Sequence, residues 1–183
     1  MVVVIEILEI PHENIVLNHQ TGQCVFVLLG ILFFVYAVAQ TELVGYLFHR
    51  LMHSPRAGRF YAAHMEHHMV QYPAKDCTSE SYRKPAGIST TMLYVPVAIF
   101  VVIAHLAVLP LPLFAWFVSG LLLTAVANSY LHDSVHLRKI WLQRFRWFRR
   151  LQARHYIHHV QMATNYGVTQ FKIDRTLGTY YKK

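Results

Sequence analysis

The chain has 183 residues, a length for one domain, with 55% hydrophobic and 14% charged residues and a mean hydropathy of +0.30. A formal net charge of +8 would suit a nucleic-acid binder. The 17 Lys and Arg, however, fall in two blocks, six from Arg50 to Lys84 and eleven from Arg138 to Lys183, with long apolar runs between. That segregation speaks against both nucleic acid and an ordinary soluble domain, and for a membrane protein.

Residues 1–23 read as an N-terminal interfacial segment: MVVVIEILEI is too short and too acidic for a signal peptide and suits an amphipathic helix on the lipid surface. A membrane domain then occupies 24–183. Its first span starts at Cys24 and runs uncharged to Thr41, and past Glu42 the apolar character continues to Phe48. A basic segment follows, carrying His49-Arg50-Leu51-Met52-His53 and His64-Met65-Glu66-His67-His68.

Residues 85–132 contain no Lys, Arg, Asp or Glu. That run exceeds one span of about 20 residues, and Leu109-Pro110-Leu111-Pro112 interrupts it. The reading is a helical hairpin with spans near 88–109 and 113–132, making about three spans in all. The last basic segment opens with His132-Asp133-Ser134-Val135-His136. Next come Trp141, Phe145, Trp147 and Phe148 among Arg144, Arg146, Arg149 and Arg150, read as an interfacial helix. It then carries His155-Tyr156-Ile157-His158-His159. Cys24 and Cys77 stand apart and indicate neither a disulfide nor a thiolate site.

Ten of the thirteen histidines thus sit in two HxxxH pairs and two HxxHH triplets. His12, His19 and His105 lie outside the pattern, with His105 placed mid-span. Residues at i, i+3 and i+4 share a helix face, so each cluster is expected to aim its imidazoles one way. Two crossings separate the pairs, and an even number returns the chain to the same side. All four clusters then meet in a helical cap on the basic face, which the positive-inside rule makes cytoplasmic.

Ten imidazoles exceed the needs of one ion. A structural zinc site commonly takes cysteine ligands, which are missing from these clusters. Carboxylates are also scarce here, so a histidine-dominated two-metal centre is expected, with oxygen activation beside the bilayer as its chemistry. Two other readings stay open: a membrane-embedded zinc hydrolase working through metal-bound hydroxide, and a non-enzymatic metal-binding or transport protein. Carboxylates near the clusters are candidates to orient the ligands from behind, namely Glu42, Asp133 (three residues before His136) and Asp174. Asn128, one turn before His132, is a further candidate.

The order HxxxH, HxxHH, HxxxH, HxxHH resembles the fatty acid hydroxylase/sterol desaturase superfamily of integral-membrane di-iron oxygenases, over roughly residues 42–180. Glu42-x3-Tyr46-x2-His49-Arg50-x2-His53 is similar to its opening motif, and Asn165-Tyr166-Gly167 with Asp174-Arg175-x2-Gly178-Thr179 to its tail. His132-Asp133-x2-His136 also resembles a block of the carotenoid ring hydroxylases. The resemblance implies an all-α, polytopic membrane bundle. It implies two iron ions held by His49, His53, His64, His67, His68, His132, His136, His155, His158 and His159. O2 would be co-substrate, and hydroxylation or desaturation of a sterol, fatty acyl chain or carotenoid the reaction. Electrons would come from an external cytochrome b5- or ferredoxin-type donor with its reductase. The membrane would be that of the ER in a eukaryote, or the cytoplasmic membrane in a bacterium.

Overall fold

The computed structural model describes residues 12–85 and 91–181, so residues 1–11 of the expected interfacial segment (1–23) lie outside the described residues. Helix α1 covers His12–Met52 without a break at residue 23 and, at 41 residues, is about 60 Å long. Helix α2 (Arg59–Glu66) runs directly into a π-helical turn, His67–Gln71. Helices α3 (Val95–Leu106), α4 (Leu111–Val135), α5 (Arg146–Val160) and α6 (Lys172–Thr176) complete the set. Among the described residues the only β pairing is a parallel bridge, Ser79 to Leu137. The protein is all-helical.

Among the described residues, two helices are long and apolar enough to cross a membrane, Thr21–Met52 within α1 and Leu111–Val135. The sequence reading of about three spans, with hairpin arms near 88–109 and 113–132, changes at the hairpin. Its first arm is the shorter apolar stretch Met92–Leu106, about 22 Å of helix, while its second arm starts at Leu111. Pro110 and Pro112 explain the asymmetry: a proline suits the first turn of α4 and cannot extend α3 through Leu109.

Direction is nevertheless as the hairpin requires. Gly120 lies against Phe34 and Ala37, and Asn128 against Glu42, so α4 runs parallel to α1. The Tyr94 ring lies 5.3 Å from Phe48 and the His105 ring 5.9 Å from Tyr36, so α3 runs the opposite way. The close approach of α1 and α4 depends on glycine. A Cβ on Gly120 would stand 2.6 Å from the Phe34 carbonyl oxygen, and small residues of this kind let membrane helices touch. Ala37, Phe117 and Leu121 fill that seam, whereas Leu28, Leu32, Phe100 and Val126 point outward, as lipid-facing side chains do.

A second core of Val135, Leu142, Phe148 and Leu151 ties the end of α4 to α5. This corrects the reading of the Trp/Arg stretch as one headgroup helix. It is a short 3-10 turn (Trp141–Arg144) followed by α5, with Trp141 and Trp147 exposed but Leu142 and Phe148 buried.

Candidate metal centre

The four histidine clusters meet where the last turns of α1 and α4 reach α2 and α5. His49 is near the end of α1 and His53 in the turn after it. His132 and His136 close α4, His64, His67 and His68 lie on α2 and its π-helical extension, and α5 brings His155, His158 and His159. Eight of the ten are buried, with His53 and His132 intermediate.

They do not gather as the motifs suggest. One group is His49, His53, His64, His68 and His158, and the other is His67, His132, His136 and His155; within each, the ligand atoms lie within 4.8 Å of one another. His159 joins the second, its Nε2 3.1 Å from that of His155, while its ring stacks on His68 at 4.1 Å. Each HxxHH triplet is therefore divided. His64 and His68 face one group and His67 the other, and His158 faces away from His155 and His159. The expectation of one direction per cluster holds for the HxxxH pairs alone. The π-helical turn, closed by Tyr72 N–H to His67 O at 2.9 Å, begins at His67, where the triplet divides.

Tautomers follow from the backbone. A carbonyl only accepts, so each ring nitrogen beside one must donate. His49 Nδ1 donates to Tyr166 O (2.6 Å) and His158 Nδ1 to Thr164 O (2.7 Å). His159 Nδ1 donates to Tyr72 O (2.8 Å) and His136 Nδ1 to Cys77 O (2.8 Å). In these four neutral rings Nε2 is a bare lone pair. Yet His155 Nε2 lies 3.0 Å from His136 Nε2 and 3.1 Å from His159 Nε2, and one proton cannot serve both. His64 Nε2 likewise stands 3.0–3.1 Å from the Nε2 atoms of His49, His53 and His68. His64 Nδ1, both nitrogens of His67 and His68 Nδ1 are buried with no partner. Converging lone pairs with too few protons to serve every contact suit a cation, so the residues fit a metal.

Burial also keeps the rings neutral, as ligands must be. Desolvation lowers His53 to about 4 and His159 to about 3. It drives His64, His67, His68, His136, His155 and His158 well below the ordinary histidine value, with neighbouring histidines adding to the effect.

The carboxylate candidates behave differently from expectation. Asp133 lies 3.6 Å from Nδ1 of its neighbour His132, beyond a hydrogen bond, and does not meet His136. Glu42 Oε1 accepts from Asn128 Nδ2 (3.0 Å) and Thr169 Oγ1 (2.7 Å), so neither Glu42 nor Asn128 is hydrogen-bonded to a histidine. Asp174 is fully buried and acts through backbone. It accepts from Tyr166 N–H (2.8 Å), Gly167 N–H (2.9 Å) and Thr179 Oγ1 (2.8 Å), and so fixes the loop whose carbonyls receive His49 and His158. Asn165, at φ 54°, turns that loop. Sequence reasoning missed the backing carbonyls, which carry no side-chain signal, and it missed Tyr72, whose ring stacks on His136 at 3.9 Å.

A cavity of about 220 Å³ opens beside both groups. His49, His64 and His132 form one end of its lining, Val97, Ala98, Val101, Leu121 and Ala125 line its walls, and Tyr166 to Val168 close it. Its surface is mostly apolar.

Fold and site together define an all-helical membrane protein with two adjoining buried histidine groups able to hold metal beside an apolar cavity. The family model described as Fatty acid hydroxylase matches residues 33–179, and the chain belongs to that family. No curated protein and no solved structure gives a match.

Proposed function

We propose that the protein is a two-iron oxygenase that hydroxylates, or desaturates, a C–H position of a membrane lipid such as a sterol, fatty acyl chain or carotenoid. The observation that carries this reading is the pair of histidine groups facing one apolar cavity. The ten clustered histidines would hold two iron ions, five to each. Iron so held supplies activation of O2 toward an unactivated C–H bond. Hydroxylation consumes O2, two electrons and two protons, and gives C–OH and one water. Desaturation consumes the same and gives C=C and two waters.

The chain's own residues perform the rest. Backbone carbonyls of Tyr72, Cys77, Thr164 and Tyr166 orient four rings by accepting hydrogen bonds from their Nδ1–H groups. The apolar walls bind the lipid and exclude water from the reacting end. Electrons would arrive on a cytochrome b5- or ferredoxin-type carrier served by a reductase, with the basic cap as the docking side. The histidine end of the spans would face the cytoplasm.

The test is turnover of labelled lipid by protein in nanodiscs with a reductase and carrier, in air and under argon. Oxygen-dependent appearance of a hydroxylated or unsaturated product is expected. Product formed without oxygen, by hydrolysis, overturns the reading.

A further inference from the structure

One to two turns deeper than the histidines, the cavity wall changes character. Glu42 and Asn128 line it there, one from α1 and one from α4. Glu42 directs a single oxygen, Oε1, at both of its donors, Asn128 Nδ2 and Thr169 Oγ1. Among the described residues this leaves Glu42 Oε2 without a partner, and Asn128 Oδ1 is a buried oxygen with none. Nearby Thr41 has already given its hydroxyl proton to Ala37 O (2.7 Å). What remains open at Glu42–Asn128 is acceptor capacity in a mostly apolar cavity, and a buried acceptor such as Asn128 Oδ1 is normally paired.

From this, and resting on the oxygenase reading for its role in catalysis, we propose that Glu42 and Asn128 together bind a hydrogen-bond donor of the lipid, a hydroxyl or an amide N–H. They are specificity-determining residues, and the substrate is a donor-bearing lipid rather than a hydrocarbon. The register follows from the helices. Asn128 precedes His132 by one turn, about 6 Å, and Glu42 precedes His49 by two, about 10 Å. The oxidised carbon therefore lies roughly 6–10 Å from the donor along the lipid. A purely structural alternative is that the trio is only a clasp joining α1, α4 and the tail.

Binding separates the two, and needs neither oxygen nor reductant. The full chain in lipid nanodiscs is loaded with tritiated 1-dodecanol and competed with unlabelled 1-dodecanol or with its methyl ether, which cannot donate. The alcohol is expected to compete roughly tenfold better, the size of one net hydrogen bond to a buried acceptor. Asn128→Leu removes one acceptor. Glu42→Gln keeps Oε1 for its two donors and puts an NH2 in place of Oε2. Each should bring the ratio to within about twofold. Ser119→Ala, which removes a hydroxyl of α4 outside the cavity lining, should leave the ratio unchanged. Equal competition by the two compounds, no binding of either, or a wild-type ratio in folded Glu42→Gln each overturns the proposal. Should Asn128→Leu fail to fold, Glu42→Gln decides. A tenfold preference in a protein that turns over no lipid in air would uphold this site while sinking the oxygenase reading.

Discussion

The two histidine groups use one device with different foundations. In both, imidazole Nδ1 protons go to backbone carbonyls of a loop. The group around His49 and His158 leans on residues 164–167, and that loop is pinned from within by Asp174, fully buried and accepting two backbone N–H groups. The group around His67 and His136 leans on Tyr72 and Cys77. There the loop is held by Arg83, which donates to Gln71 O and pairs with Asp76, and by Arg138, which reaches Asp76 at 3.0 Å. Those side chains are a third to a half exposed, so water and salt weaken their pairing. Nearly identical ligand chemistry can thus stand on a buried carboxylate in one half and on a screened ion network in the other.

The largest effects should come from the ligands that sit where the halves interlock. His67→Ala and His158→Ala each remove one ligand from one group, yet both lie on a turn that also feeds the other group. Each is expected to lose both metals, read by plasma emission spectrometry on folded protein. Loss of half the metal would show that the groups load independently.

Next comes the buried foundation. Asp174→Ala removes charge-assisted hydrogen bonds worth about 1.5–3 kcal/mol each and frees the Tyr166 carbonyl loop. Gly167→Ala attacks the same point, since its Cβ would lie 2.8 Å from Asp174 Oδ2 and 2.2 Å from Gln170 O. Both should lower the thermal midpoint strongly and raise metal dissociation by chelator, faster from the group around His49 and His158. Wild-type chelation kinetics in both would break the comparison.

A smaller effect is expected at the seam between the helices that bring one HxxxH pair to each group. Gly120→Ala places Cβ against the Phe34 backbone, which cannot move aside as a side chain would, at a cost of about 1–3 kcal/mol. The alanine at Gly30, whose nearest neighbours would be atoms of the Trp116 side chain, should cost less. Denaturant unfolding in detergent ranks the two, and the reverse order would refute the packing account. The smallest change should follow Asp76→Asn. Its exposed pairs predict a modest fall in thermal midpoint, which about 0.5 M salt erases in the wild type as well.

Much of this was legible in the residues. The uncharged runs gave the helical membrane architecture, and the HxxxH and HxxHH spacings gave ten histidines that the fold brings together. The division of each triplet was not legible, because it depends on a π-helical turn at His67 and on which helix each ring faces after packing. Nor was the short first arm of the hairpin, since apolar composition continues through Leu106-Ala107-Val108-Leu109 beyond where the helix stops. The backing of the ligands was hidden for a simpler reason. Sequence reasoning looks for carboxylates behind histidines, and here backbone carbonyls do that work, with Asp174 one step further back and Glu42 bonded to Asn128.

The central claim is tested most directly by metal analysis and Mössbauer spectroscopy of protein purified anaerobically from iron-57-enriched cells. Two irons per chain in histidine-rich environments, converted by O2 to a coupled ferric pair, is the predicted result. One zinc per chain with no iron, in protein active without oxygen, would contradict it.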